Sequence, residues 1–525
     1  MPMKRLLSLT FFLLMVCSIQ AQLNLPQLGK YVVVGHNLVD DCDITAIKES
    51  FETEIYRTMF DSVSNTALIT LWKRPGAGIV KNSNYNTKVL YYDLKNQKIK
   101  WKKTVNLNDD EIGKIGEYIC FEDNEHFSLL DSETGKNKYK LGKNLRTLLY
   151  NFKQGWMLCA SYNSLLGKSG SIQKIDLNTG EIIWNKETDL DYGLSWLGVI
   201  NDSIALFVGG GLRGVNFKSG SIWAYTVNTD DSRYLSRKTE FYIGVYSNIK
   251  IEDSTSLYFA GKDKVAKLGI DGSVIWENEL NPNEMSKSFL GINRNSLLLV
   301  NRGCTYGSNY VAPMGAPFFA VYDKSTGVKK YQVDCIKYSN YIIDFYVEDD
   351  CLLLLFQNRF FTQVIGKFRI SDGKMLASYT PTVTSLDKKS LYYGFVGSKV
   401  YAKQDSAWVN LNQKYPKDVF LVNEYGVLQL DQKLQKKQFF EKKDLYVYER
   451  EYEGLRFFKH GDETVLVDSL NREVAVIDFD EIFVTESELY CTKENSLYII
   501  NKFQIPFLKK DELQINEVQE SESSN

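Results

Sequence analysis

The chain has 525 residues, 13% of them aromatic with 33 Tyr and 29 Phe against only 9 Pro, and its 63 basic residues nearly balance 65 acidic ones for a net charge of −2. That balance gathers no positive potential and excludes nucleic acid as a natural partner. Abundant Tyr and Phe with little sustained helical periodicity favour half-buried strands, and hence an all-β body.

At the N-terminus, Lys4-Arg5 precede the apolar run Leu6 to Val16, then polar Ser18 and Gln20 and the small Ala21. This is the layout of a secretory signal peptide over residues 1–21, with cleavage before Gln22. The run is too short for a permanent span, and no later stretch of about 18 apolar residues occurs, so no transmembrane span is expected. Cys17 raises a lipoprotein signal, but Val16 stands where such a site needs a small residue. The expectation is a soluble exported protein, periplasmic or outer-membrane associated, with a lipid anchor as the alternative. Next in order, Tyr31-Val32-Val33-Val34 is a candidate strand for clasping the two ends of a closed body. Ile44, Ile47, Phe51, Ile55 and Met59 recur every three or four residues, which fits either one helix over 44–60 or an irregular lead-in to the first repeat.

From there a skeleton Asp-x-x-Thr-Gly-x-x-x-aromatic returns along the chain. Asp131 to Gly135 with Tyr139, Asp176 to Gly180 with Trp184, and Asp323 to Gly327 with Tyr331 keep it intact. Thr226, Thr229 and Tyr234 keep it loosely, and Asp93 with Trp101 and Asp271 with Trp276 are worn copies. Each reads as strand, side-chain-capped tight turn, strand, with Gly free to take positive φ. The aromatics at 101, 139, 184, 234, 276 and 331 lie 38, 45, 50, 42 and 55 residues apart, the period of a four-stranded propeller blade. A large ring at a fixed place in each blade buries apolar surface against the next.

This pattern resembles the PQQ-like β-propeller repeat of quinoprotein alcohol dehydrogenases and of non-catalytic, BamB-like envelope lipoproteins. The resemblance implies an all-β propeller of four-stranded antiparallel blades over 22–508. About eight blades are expected within a range of seven to ten, clearest over 89–379 and degenerate over 390–508. It assigns blade packing to Trp101, Tyr139, Trp184, Tyr234, Trp276 and Tyr331, and implies an envelope protein partner, as in outer-membrane protein assembly. The polar, acidic tail 509–525 reads as disordered.

Signals of catalysis are sparse. Three histidines, His36, His126 and His460, show no metal-binding spacing. Gly209 to Gly214 formally spell a dinucleotide loop, but strands surround them, so a Gly-rich bend is expected. The acidic clusters at 40–43, 108–111 and 228–231 read as solvated turns rather than calcium loops. Five Asp-Ser-x triplets, at Asp61, Asp202, Asp253, Asp405 and Asp468, read as turns ahead of O-glycosylation signals. After the signal, seven cysteines remain at irregular spacings that indicate no disulfide framework; Cys120, Cys159 and Cys351 read as buried thiols in strands, and a pairing of Cys304 with Cys335 across one blade stays open. Quinoprotein dehydrogenases hold PQQ with a disulfide between adjacent cysteines and a calcium ion. This chain has no adjacent cysteines, and no catalytic, cofactor or metal residue carries over.

The expected function is therefore a non-catalytic envelope scaffold for protein–protein interaction, with no cofactor. The alternatives are a PQQ- and calcium-dependent alcohol or sugar dehydrogenase and a carbohydrate-binding propeller. The loop from Arg302 to Pro317, with Arg302, Tyr306, Asn309 and Tyr310, is the candidate partner-binding rim, and 161–170 a second.

Overall fold

The computed structural model describes residues 31–505 except 62–63, 73–85, 107–110, 116–117, 123–126, 142–144, 164–167, 191–194, 232–242, 307–310, 359, 361, 382–392, 397–399, 405–406, 424, 453, 461–462, 470–471, 480 and 486. The signal segment, the tail, His126, Tyr234, Asn309 and Tyr310 lie outside the described residues.

The architecture is a β-propeller. Eight separate four-stranded antiparallel sheets are accompanied by one eleven-stranded sheet that holds two more four-stranded meanders. In chain order these units are blade 1 (54–106), blade 2 (111–140), blade 3 (145–190), blade 4 (195–225), blade 5 (250–279), blade 6 (288–334), blade 7 (341–379), blade 8 (394–441), blade 9 (445–477) and blade 10 (481–501 plus the N-terminal strand Cys42–Ser50). The ten four-stranded units among the described residues stand at the upper end of the expected seven to ten.

Burial follows strand position. Middle strands are short apolar runs, such as Ile204–Val208 and Phe127–Leu130, buried along their whole length because both faces meet a neighbouring blade. Fourth strands such as Asn137–Lys140 and Lys329–Asp334 are mostly exposed. First strands of neighbours approach one another, 54–61 with 111–115, 145–151 with 195–200, 250–251 with 288–293, and 341–348 with 394–395. They are therefore the inner edges facing the channel.

The core is a set of apolar layers between blades, and these layers close on themselves. Leu68, Val89 and Tyr91 of blade 1 pack on Ile112 and Ile119 of blade 2, and comparable layers join each pair through blades 7 and 8. Phe457 and Leu466 of blade 9 pack on Leu489 and Ile500 of blade 10, and Tyr490 and Leu497 of blade 10 pack on Ile69 and Leu90 of blade 1. Each fully buried Leu or Phe is worth about 1.5–3 kcal/mol, so the interfaces between blades carry the stability.

Closure uses the N-terminal strands. Cys42–Ser50 pairs with Ser496–Asn501 as the outermost strand of blade 10. Tyr31–Asn37 pairs with it and, through Gly35 to Asn37, with the outer strand Glu473–Ile477 of blade 9. The sequence placed the clasp at Tyr31 to Val34; the strand that completes the blade is the next one, and Tyr31–Asn37 staples two blades together. The 44–60 segment is neither helix nor irregular. It forms the strands Cys42–Ser50 and Glu54–Asp61, and its three-to-four spacing arises because Ile44 faces blade 9 while Ile47, Phe51 and Ile55 line the layer between blades 10 and 1.

Blade 8 carries an insertion between its first and second strands. Its hairpin, Val400–Gln404 with Ala407–Asn410, adds to the free inner edge of the blade 9 strand Leu445–Tyr452. One helical turn, Leu411–Lys414, capped by the Asn410 side chain, follows.

Candidate functional site

The repeat motif builds a clasp between successive blades. Asp131, Asp176 and Asp323 each accept two backbone N–H bonds through Oδ1, from residues two and three further on, at 2.7–3.2 Å. The turn then ends on a glycine at positive φ, +67° at Gly135, +76° at Gly180 and +75° at Gly327. The preceding blade's aromatic lies flat on that glycine. A Cβ on Gly135 would sit 2.7 Å from Trp101, one on Gly180 2.8 Å from Tyr139, and one on Gly327 2.6 Å from Trp276. The ring's polar tip donates to a carbonyl of the same turn: Trp101 Nε1 to Ser132 O at 3.0 Å, Tyr139 Oη to Leu177 O at 2.9 Å, and Trp276 Nε1 to Lys324 O at 3.2 Å. Tyr331 repeats this against Gly373 and the Ile370 carbonyl, and Trp184 against Gly220 and the Phe217 carbonyl.

Sequence reading missed one member. The aromatic of blade 4 that packs on the next blade is Trp223, over Gly272. Its turn begins at Asn216, whose Oδ1 accepts from the Lys218 and Ser219 N–H groups as the aspartates do. Asn216-x-x-Ser-Gly220-x-x-Trp223 carries the signal once Asn is allowed for Asp.

Of the four candidate rim residues, only Arg302 has a described side chain. Arg302 is buried, its Nε donating to Ile342 O at 3.0 Å and its guanidinium lying 4.6 Å from the Phe289 ring centre. It joins blades 6 and 7, so a partner has no access to it. Tyr306 ends one strand of a hairpin, Cys304–Tyr306 with Val311–Pro313, inserted between the second and third strands of blade 6. Cys304 and Cys335 are both buried and form no disulfide with each other, and burial pushes the Cys335 thiol up to about 12. Gly209 to Gly211 form the bend between Ile204–Val208 and Leu212–Asn216.

A cleft stands where blades 7 and 8 meet at their inner edges. Asp344, Tyr346 and Glu348 alternate along the first strand of blade 7 and share one face. Asp344 Oδ2 accepts the Phe395 N–H at 3.0 Å, which fastens the short first strand of blade 8 beside it. The Phe395 ring is thereby held 6.0 Å from that of Tyr346. Asn412, Tyr415 and Pro416 of the insertion, with Val419 and Phe420 after it, also line the cleft, whose volume is about 120 Å³.

The cleft's two carboxylates differ. Asp418 is buried and satisfied, accepting from Gln429 Nε2 at 2.5 Å and Lys437 Nζ at 2.8 Å. Lys437 and Lys414 also lie 5.5 and 5.4 Å from the Tyr415 ring centre. Glu348 is half-buried and, among the described residues, has no hydrogen-bond or ion-pair partner. Burial pushes its carboxyl above the ordinary range, Lys367 pulls it down, and Asp349 and Asp418 push it up. The cleft opens on the face of the first-to-second strand turns, whereas the Cys304–Tyr306 hairpin leaves from a second-to-third connection on the opposite face.

No family model matches the chain, and no curated protein does. Similar solved structures include BamB from Moraxella catarrhalis, 11% identical over 74% of this chain and 96% of that one with a TM-score of 0.33. The dihydro-heme d1 dehydrogenase NirN in complex with DHE is 10% identical over 79% and 78%, TM-score 0.32. The WD40 domain of SCAP from fission yeast is 9% identical over 87% and 98%, TM-score 0.29. Likeness at this level carries no argument about activity or partner.

Proposed function

We propose that this chain is a non-catalytic propeller of the PQQ-like repeat type, exported to the cell envelope, where it binds a protein partner. The observation that carries the reading is the blade 7–8 cleft, an aromatic-lined concavity at the inner edge of the ring. Its volume of about 120 Å³ is of the order of a cavity that holds benzene, roughly 150 Å³. That suits an inserted side chain.

The repeat motif supports the same reading, because its Asp and Asn side chains cap their own turns and its aromatic rings are fastened to the next blade. The residues present do not fit the quinone site of the resembled dehydrogenases. The chain lacks adjacent cysteines, and among the described residues no three His, Cys, Asp or Glu side chains are grouped as calcium ligands would be. Export is supported by the Lys4-Arg5 and Leu6 to Val16 pattern.

The test is purification from the native envelope under gentle crosslinking, with mass spectrometry for partners and absorbance for quinone. A stoichiometric envelope protein without PQQ is expected. Bound PQQ with dye-linked alcohol oxidation would overturn the proposal.

A further inference from the structure

We infer that the blade 7–8 cleft receives a lysine side chain presented by the protein partner, with Glu348 taking its ammonium group. This rests on the scaffold reading above and names the chemistry by which the partner is recognised.

The argument is one of charge and shape. Glu348 is a half-buried carboxylate left without a partner beside another carboxylate, Asp418, whose charge is already met by Lys437. Exposing such a group to one more cation removes the cost of holding it desolvated. Around it, Lys367 supplies a cation from its own blade, its Nζ engaged in donating to Gln432 O at 3.3 Å, and Asp349, Cys351 and Asp418 add none. An anionic ligand would meet two carboxylates and is disfavoured.

The walls complete the match. The Tyr346 and Phe395 rings offer faces for a cation, while the Tyr415 face is already occupied by Lys414 and Lys437. Val396, Val419 and Phe420 give apolar cover for an alkyl stem. Lysine combines a four-carbon stem with a compact ammonium head. The cleft's 120 Å³ is of the right order for that head and stem, since a cavity of roughly 150 Å³ accommodates benzene.

The experiment uses the full chain and ligand-observed saturation-transfer NMR with n-butylammonium, and with n-butanol as the neutral isostere. Glu348→Gln keeps the shape and removes the charge; Tyr346→Ala removes one ring without touching the carboxylate. Wild type should bind n-butylammonium and not n-butanol, with affinity falling as acid protonates Glu348. E348Q should lose about tenfold or more, the cost of one charged hydrogen bond, and Y346A should weaken binding while keeping its pH dependence. Equal binding by wild type and E348Q, or equal binding of n-butanol, would overturn the inference. The partner captured from the envelope should escape E348Q. A partner held equally by both leaves the scaffold reading intact and overturns the cleft. Glu348-dependent butylammonium binding with no captured partner overturns the partner-borne lysine and the scaffold together, leaving a free amine as the ligand.

Discussion

Gly327→Ala tests the blade clasp with a magnitude that follows from geometry. Gly327 has φ +75°, and its added methyl would lie 2.6 Å from Trp276 Cδ2 and 2.7 Å from Cε3. Forcing an L-residue into the left-handed region costs about 1–2 kcal/mol, and overpacking a fixed ring adds about 1–3 kcal/mol. The sum is about 2–5 kcal/mol, read as a lower urea midpoint at unchanged slope. The two contributions separate in a double-mutant cycle. Trp276→Ala alone should cost about 3–5 kcal/mol, and in that background G327A should cost only the backbone part, giving a coupling of about 1–3 kcal/mol. A neutral G327A, or the same cost with and without the indole, would refute the clasp as drawn.

Other outcomes follow from neighbouring contacts. Trp223 has a buried indole N–H with no hydrogen-bond partner among the described residues, whereas that of Trp276 donates to Lys324 O; Trp223→Phe should therefore be milder than Trp276→Phe by about 1–2 kcal/mol in urea titrations, and equal costs would contradict this. Burial pushes Glu252 up, but bonds from Lys267, Lys324 and Tyr258 outweigh it and hold the carboxyl at about 2. Because this pKa is depressed on folding, its stabilisation is complete above the ordinary carboxylate range and fades as pH falls from about 4.5 toward about 2. Glu252→Gln should cost about 1–3 kcal/mol at neutral pH and flatten that acid limb in pH-dependent unfolding; an unchanged limb would count against it. Asp344→Ala should release the Phe395 N–H and weaken n-butylammonium binding with little change in the urea midpoint, since the bond serves one short strand.

The blade architecture was legible because the motif is local. Asp, Gly and aromatic sit within nine residues, and each performs its part with its immediate turn and one neighbouring blade. The reading slipped at Trp223 because Asn216 replaces Asp, which preserves the accepting oxygen and changes only the letter. It slipped at 44–60 because two strands facing different blades produce apolar positions three and four apart, as a helix does. The clasp was displaced by one strand because Tyr31 to Val34 and Ile44 to Ile47 are both strand-forming, and only three-dimensional pairing decides which completes blade 10. Arg302 looked like a rim residue from its loop composition, yet its guanidinium is spent between blades. The cleft had no signal at all: Tyr346, Glu348, Phe395 and Asp418 are spread over some seventy residues, and blade adjacency alone brings them together.

The most direct test of the scaffold account is a photocrosslinking residue placed at the exposed Asn412 on the cleft wall, and separately at the exposed Lys330 on an outer strand, in the full chain expressed in its native envelope. The account predicts that the Asn412 site crosslinks one envelope protein, that the Lys330 site does not, and that the Asn412 product disappears when Glu348 is changed to Gln. An Asn412 site that captures no protein, or captures the same set as Lys330, would contradict it.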